Sequence, residues 1–264
     1  MTRLERVAVD LVRGLVTVEE GGTSESYPLG SPQAFAAISR AWIRCGWDVK
    51  YTYTFTWLGR PVIQLPEDLL RLQEAVYVLR PDVIVETGVA HGGSVIFLAT
   101  LCRAIGHGRV IGVDREIRPA NRRAIETHEL RDLITLVEGD SADPAVVARV
   151  KALAAGSERV LVVLDSSHTR RQVLAELEAY AELVSVDSYV IVQDGVMQDL
   201  ADSPHASPEW RWDNPAAAAQ EFLLHHPEFA LEAPPWPFNE SRGLREGVTY
   251  WPGGWLKRRS STPA

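Results

Sequence analysis

The chain has 264 residues, a length that admits one or two domains and a core of useful size. Lys plus Arg number 27 against 35 Asp plus Glu, and the formal net charge of −8 argues against nucleic acid as a partner, because phosphate neutralisation needs a dense basic surface. The longest uncharged run, from Gly88 until Arg103 interrupts it, stops short of the ~18 apolar residues of a membrane span. Charges also break the N-terminal MTRLERVAVDLVRGL, so it does not read as a secretory signal. The only cysteines, Cys45 and Cys102, are expected to be reduced thiols. A soluble, cytoplasmic, globular protein is expected, with no membrane and no nucleic acid among its partners.

Residues 1–80 read as a helical N-terminal cap or lead-in. Ser31-Pro32 opens a helix to about Arg44, and Pro66 opens another to about Arg80. A rhythm of short β-branched runs and helical stretches then fills residues 81–258. The predicted strands are Val83–Thr87, Arg109–Asp114, Ile134–Glu138, Val160–Asp165 and Tyr189–Asp194. They are nearly continuous Val, Ile and Leu, as parallel strands covered on both faces should be. Asp143-Pro144 and Asn214-Pro215 mark helix starts. Thr169 to Gln172 spells a capping box, followed by an apolar stripe at Leu174, Leu177, Ala181 and Val184. Runs near Phe229–Leu231 and Val248–Trp251 can add edge strands. The fold class is therefore α/β, a Rossmann-like, doubly wound, mostly parallel sheet of seven strands with a helical cap. The polar, proline-containing stretch 195–213 is long for a plain connection and reads as a lid loop. All eight Trp lie outside residues 58–209, either packing on the sheet or lining an acceptor pocket. The tail, 259–264, should fray.

Three strand ends carry the binding chemistry. Val85-Glu86-Thr87-Gly88-Val89-Ala90-His91-Gly92-Gly93-Ser94 joins the first sheet strand to a helix whose N-terminal amides can receive an anion. A dinucleotide fingerprint needs glycine at its third position, where this chain has Ala90, so the loop suits a nucleoside without pyrophosphate. Glu86 is placed either on the loop amides, the favoured reading, or in the chemistry; His91 is either a methionine contact or a solvated loop residue. Asp114, ending the second strand, can accept both ribose hydroxyls. Asp140, in Glu138-Gly139-Asp140-Ser141, can receive an adenine amino group. Together they spell an S-adenosylmethionine site over Glu86, Thr87, Gly88, His91, Gly92, Gly93, Ser94, Asp114, Asp140 and Ser141. Asp165 and Asp194 end neighbouring strands and can converge on a hard cation such as Mg²⁺, with Gln193 beside them. His168, three residues beyond Asp165, can reach the same space as a neutral base.

These residues resemble the cephalosporin hydroxylase/rhamnosyl O-methyltransferase family of natural-product biosynthesis. The resemblance rests on VETGVAHGGS (85–94), GVDREIRPANRRAIETHEL (112–130), EGDS (138–141) and LDSSHTRRQVLAELEAYAELVSVDSYVIVQDG (164–195). DNPAAAAQEFL (213–223), WPGGWLKR (251–258) and the lead-in from Gly59 to Gly88 extend it to roughly residues 50–258. It implies a class I methyltransferase fold, S-adenosylmethionine as donor, and frequently Mg²⁺. Relatives acting on macrolide sugars have a metal Asp followed three residues later by a catalytic His, matching Asp165 and His168. They also carry two adjacent acids where this chain has Gln193-Asp194, so one acidic ligand is replaced by an amide.

The expected activity is O-methylation of a rhamnosyl or other deoxysugar hydroxyl of a secondary metabolite, as in antibiotic biosynthesis. His168 would be the general base, with Mg²⁺ at Asp165, Gln193 and Asp194. The expected partner is a small glycosylated acceptor, and a homo-oligomer is expected. Three alternatives stay open: a non-sugar acceptor hydroxyl, a non-catalytic donor-binding scaffold, and a nicotinamide-dependent oxidoreductase, which Ala90 disfavours.

Overall fold

The computed structural model describes residues 4–241 and 243–260. Its first elements correct the expectation of a helical cap. Strands β1 (Leu4–Asp10), β2 (Leu15–Glu20) and β3 (Thr23–Pro28) form an antiparallel meander before helix α1 (Pro32–Asp48). Gly21 and Gly22, at φ +58° and +77°, make the two-residue turn that such a hairpin favours. Val16 and Val18 alternate inward onto Ala34 and Ala37 of α1, while Leu15, Thr17 and Glu19 face the more exposed side. This alternation at period two is what fixes strand rather than helix here. The tiny hairpin of β4 (Thr56–Trp57) and β5 (Arg60–Pro61) and helix α2 (Pro66–Leu79) complete the lead-in.

The strand and helix expectations for the remainder are met closely. In chain order it runs β6 (Val83–Thr87), α3 (Gly93–Ile105), β7 (Arg109–Asp114), α4 (Pro119–Glu126), β8 (Ile134–Glu138), α5 (Pro144–Ala154) and β9 (Val160–Leu164). It continues with α6 (Arg170–Tyr180), β10 (Tyr189–Val192), α7 (Met197–Leu200), α8 (Pro215–His225), β11 (Phe229–Leu231) and β12 (Trp255–Arg258). The seven-stranded sheet has the order β11-β12-β10-β9-β6-β7-β8, with only β12 antiparallel to its neighbours. Apolar clusters cover both faces. One holds α2 and α3, the other α5, α6 and α8. Side-chain caps from Asp143, Thr169 and Asn214 start their helices as the sequence signals. The capping box closes in one direction only, because the Gln172 amide turns to Asp140 and Ser141 instead.

One further expectation fails locally. Val248–Trp251 is not a strand. Its polar groups are taken elsewhere: Tyr250 N donates to the Asp68 carboxylate, and Tyr250 O accepts from Val196 N. The antiparallel edge strand is β12 instead. Segment 195–213, read as a lid loop, holds α7 and buries Val196, Met197 and Leu200. Arg259, in the tail expected to fray, pairs with Glu232, and the rest of that tail from residue 261 lies outside the described residues. Among the described residues no helix is long and apolar enough to cross a membrane.

Candidate active site

Strand order reverses between β6 and β9, so the carboxyl ends of β6, β7, β9 and β10 open onto one crevice, where such sheets bind ligands. Backbone bonds tie these ends level: Gly88 N to Val113 O at 2.7 Å, Asp165 N to Thr87 O at 2.9 Å, and Gln193 N to Leu164 O at 3.0 Å. The glycine loop follows β6. Its amides at Val89 and Ala90 both donate to Oδ2 of Asp114, at 2.9 Å each. The favoured place for Glu86 on those amides is therefore corrected, and Asp114 holds them. Asp114 Oδ1 accepts from Glu116 N, which leaves limited capacity for ribose hydroxyls. His91 gives its carbonyl to Arg60.

Glu86 points into the protein. It is 1% exposed, hydrogen-bonds with Ser94, and has one carboxylate oxygen without a partner. Burial first, then the charge of Asp114, pushes its pKa up to about 8, against the Ser94 bond. The folded state thus holds a proton that the unfolded chain releases from about 4.5 upward. Stability from this group falls as pH rises between those values, and the loss is complete above the higher one. Glu86→Gln cannot ionise, so melting temperatures from pH 5 to 9 should fall less steeply for this variant than for the parent. Parallel curves would contradict the assignment.

On the far side of the crevice, Asp140 accepts from Ala142 N and Gln172 Nε2 and pairs with Arg115 at 2.6 Å. The Ala142 amide, and then Arg115, hold its carboxyl below the usual range. Ser141 is buried, and its hydroxyl is bound to Glu176 rather than turned to the crevice. Glu176, wholly buried on α6, was not singled out from sequence. Its signal is an acid on the buried register Val173–Glu176–Leu177–Tyr180.

Asp165, His168 and Asp194 come together: one potential ligand atom from each lies within 4.8 Å of the others. His168 Nε2 is 3.5 Å from Asp194 Oδ2, and their side chains are 36% and 20% exposed. The Asp194 backbone is left-handed, φ +56°, a conformation that Asp tolerates better than most residues. Burial, then the charges of Asp194 and Glu86, raise the pKa of Asp165 well above its ordinary value. Burial raises Asp194 too, while His168 works against it. Gln193 is buried, and its Oε1 accepts from Gln64 Nε2 at 2.7 Å. The same nitrogen donates to Asp165 Oδ2 at 2.8 Å. Gln64, preceding α2, has no sequence signal beyond a polar residue inside Pro61-Val62-Ile63-Gln64-Leu65.

Most tryptophans pack rather than line the crevice. Trp47 meets Trp210 and Tyr250 edge-on or tilted, Trp57 meets Phe97, and Trp251 and Trp255 are buried together.

A family model described as Rhamnosyl O-methyltransferase/CmcI matches residues 49–259. The rhamnosyl O-methyltransferase of Mycobacterium leprae (strain TN) is 30% identical over 146 residues, 53% of this chain and 60% of that protein. The rhamnosyl O-methyltransferase of Mycobacterium tuberculosis (strain H37Rv) is 29% identical over 141 residues, 53% of this chain and 56% of its own length. The chain therefore spans less than two thirds of either relative. A solved structure described as CmcI-N160 apo superimposes with a TM-score of 0.53 at 19% identity, covering 79% of this chain and 78% of the other. A second, described as cmcI-D160 Mg-SAM, gives 0.53 at 18% with the same coverage, 79% and 78%. These likenesses show a shared fold, and the seven-stranded sheet is that of a class I methyltransferase.

Proposed function

The chain belongs to the rhamnosyl O-methyltransferase/CmcI family, and from that premise we propose that it is an S-adenosylmethionine-dependent O-methyltransferase acting on a sugar hydroxyl of a glycosylated small molecule. The observation that carries this reading is the meeting of Asp165, His168 and Asp194 in the crevice that the glycine loop also borders. The donor would lie along the ends of β6, β7 and β8. Gly88 to Ser94 would face its methionine part, the remaining capacity of Asp114 its ribose, and Asp140 its adenine amino group. Ser141 would act through the backbone, given that its hydroxyl is engaged by Glu176.

A sugar hydroxyl is a weak nucleophile, so methyl transfer needs a base and a means of stabilising developing negative charge. His168 would accept the hydroxyl proton, with Asp194, 3.5 Å from its Nε2, offsetting the charge that the ring gains. Two part-buried carboxylates, both raised by burial and Asp165 raised further by the charge of Asp194, fit a divalent cation, because it relieves both their burial and that repulsion. Mg²⁺ held by Asp165 and Asp194 would supply positive charge near the acceptor oxygen. Gln193 could add only a neutral carbonyl, and Gln64 already draws on that oxygen. S-adenosylmethionine would supply the methyl group, leaving as S-adenosylhomocysteine when its S–CH3 bond is exchanged for the new O–CH3 bond, and the chain's part in that in-line displacement is chiefly positioning.

S-adenosylhomocysteine should raise the melting temperature, as any native-state ligand does. Asp114→Ala should remove most of that rise, since it deletes the ribose acceptor and leaves the Val89 and Ala90 amides without their partner. A rise with NADH and none with S-adenosylhomocysteine would sink the reading. Methyl transfer is assayed by incubating labelled donor with deoxysugar-bearing metabolites and reading products by mass spectrometry. Chelation should depress turnover and added Mg²⁺ restore it, while full turnover in demonstrably metal-free protein would remove the cation from the mechanism.

A further inference from the structure

The β4–β5 hairpin lies outside the seven-stranded sheet, yet it is pinned above the glycine loop. Trp57 Nε1 donates to Thr100 Oγ1 at 3.0 Å on α3, and the Leu58 carbonyl faces His128 Nε2 at 3.2 Å. Strand β5 presses directly on the loop: a Cβ added to Gly93 would sit 2.1 Å from the Pro61 carbonyl oxygen. From this hairpin Arg60 reaches the His91 carbonyl with Nε at 2.9 Å and Nη2 at 2.6 Å. Its Nη2 also donates to Asn121 Oδ1 at 2.9 Å, and Asn121 Nδ2 donates to the Ala90 carbonyl at 2.8 Å.

Between these bonds sits Ala90, a residue with a Cβ held at φ +44°. An L-residue takes the left-handed conformation only against a steric cost, so its neighbours must hold it there. Asp114 holds the Ala90 N–H from below, and Arg60 with Asn121 holds the two following carbonyls from above. Both sets of bonds turn the peptide planes at the start of α3, whose amides the donor would meet. Without the upper set, Ala90 is free to relax to negative φ and rotate those planes away.

We infer that Arg60, with Asn121 as its relay, is a positioning residue for the methyl donor that keeps Ala90 left-handed and the loop in its binding shape. The inference rests on the reading that the glycine loop binds the donor. The alternative is that Arg60 merely fastens the hairpin to the body of the protein.

The two are separated by measuring how Arg60→Ala changes S-adenosylhomocysteine affinity, by calorimetry on the full chain, in the parent and in the A90G background. Glycine adopts positive φ without the steric cost, so it removes the need for a clamp. In the parent, R60A should weaken binding about 10-fold, the order set by the cost of one left-handed L-residue. In the A90G background the same substitution should cost less than about 3-fold, a coupling that mere fastening would not produce. Arg60→Lys keeps one donor and should fall between parent and R60A. Equal affinity for R60A and parent, or equal losses in both backgrounds, would overturn the inference. A parent chain that fails to bind S-adenosylhomocysteine at all would overturn the donor-site reading itself.

Discussion

His168→Ala should lower kcat by roughly 10²- to 10⁴-fold, the usual range for a lost general base, and leave S-adenosylhomocysteine affinity within about two-fold. The expectation follows from position. His168 stands in the turn between β9 and α6, its ring is part exposed, and its Nε2 faces Asp194 at 3.5 Å. Nothing binds it to the glycine loop, to Asp114 or to Asp140, so the donor should not notice its removal. The fold should not either, since a part-exposed side chain outside the core contributes little to stability. Rate is then the only quantity that moves strongly. His168→Gln tests geometry apart from proton transfer, because glutamine can hydrogen-bond but cannot act as a base at neutral pH. Both variants should be similarly slow. Near-parental kcat in His168→Ala, or a loss traced wholly to donor binding, would strip the residue of its proposed role.

What the sequence made legible follows from how each feature is encoded. The five parallel strands were readable because burial on both faces demands uninterrupted Val, Ile and Leu, and helix starts because cap residues precede proline or pair with a nearby side chain. Once the strand ends were placed, Asp114, Asp140, Asp165 and Asp194 followed, since acids at such ends face one crevice. The N-terminal meander was missed although Glu20-Gly21-Gly22-Thr23 carries a hairpin signal. Its strands are half solvated, and their polar faces dilute the apolar alternation. Glu86 and Asp114 were distinguishable only through register. Thr87 pairs with Val113, so Asp114 comes level with the loop, while Glu86 lies within a strand covered on both faces. Gln64, Arg60 and Asn121 act across long sequence separations through two or three side-chain hydrogen bonds each. No periodicity records such contacts; only the folded chain brings the β4–β5 hairpin over the loop.

Gly88→Ala should be the most damaging single methyl in the crevice. Gly88 has φ +94°, and a Cβ there would lie 2.0 Å from the Asp165 carbonyl oxygen and 2.5 Å from its carbonyl carbon. Both obstacles are backbone, so no rotamer change relieves the clash. The ends of β6 and β9 must separate, which strains the bond from Asp165 N to Thr87 O. Left-handed strain of roughly 1–2 kcal/mol and overpacking of roughly 1–3 kcal/mol give a loss of about 2–5 kcal/mol in all. For a chain of this size that corresponds to a fall in melting temperature of roughly 4–20 °C. Gly106→Ala is the control. Gly106 ends α3 at φ +71° with nothing within 4 Å of its added Cβ, so it should incur the conformational strain alone. Gly88→Ala should also abolish S-adenosylhomocysteine binding and weaken Mg²⁺ binding, because one displacement moves both the glycine loop and Asp165. Gly106→Ala should leave both intact. Matching falls in melting temperature for the two variants, or a Gly88→Ala protein that still binds donor product tightly, would show that β6 and β9 have slack that their contact distances do not reveal.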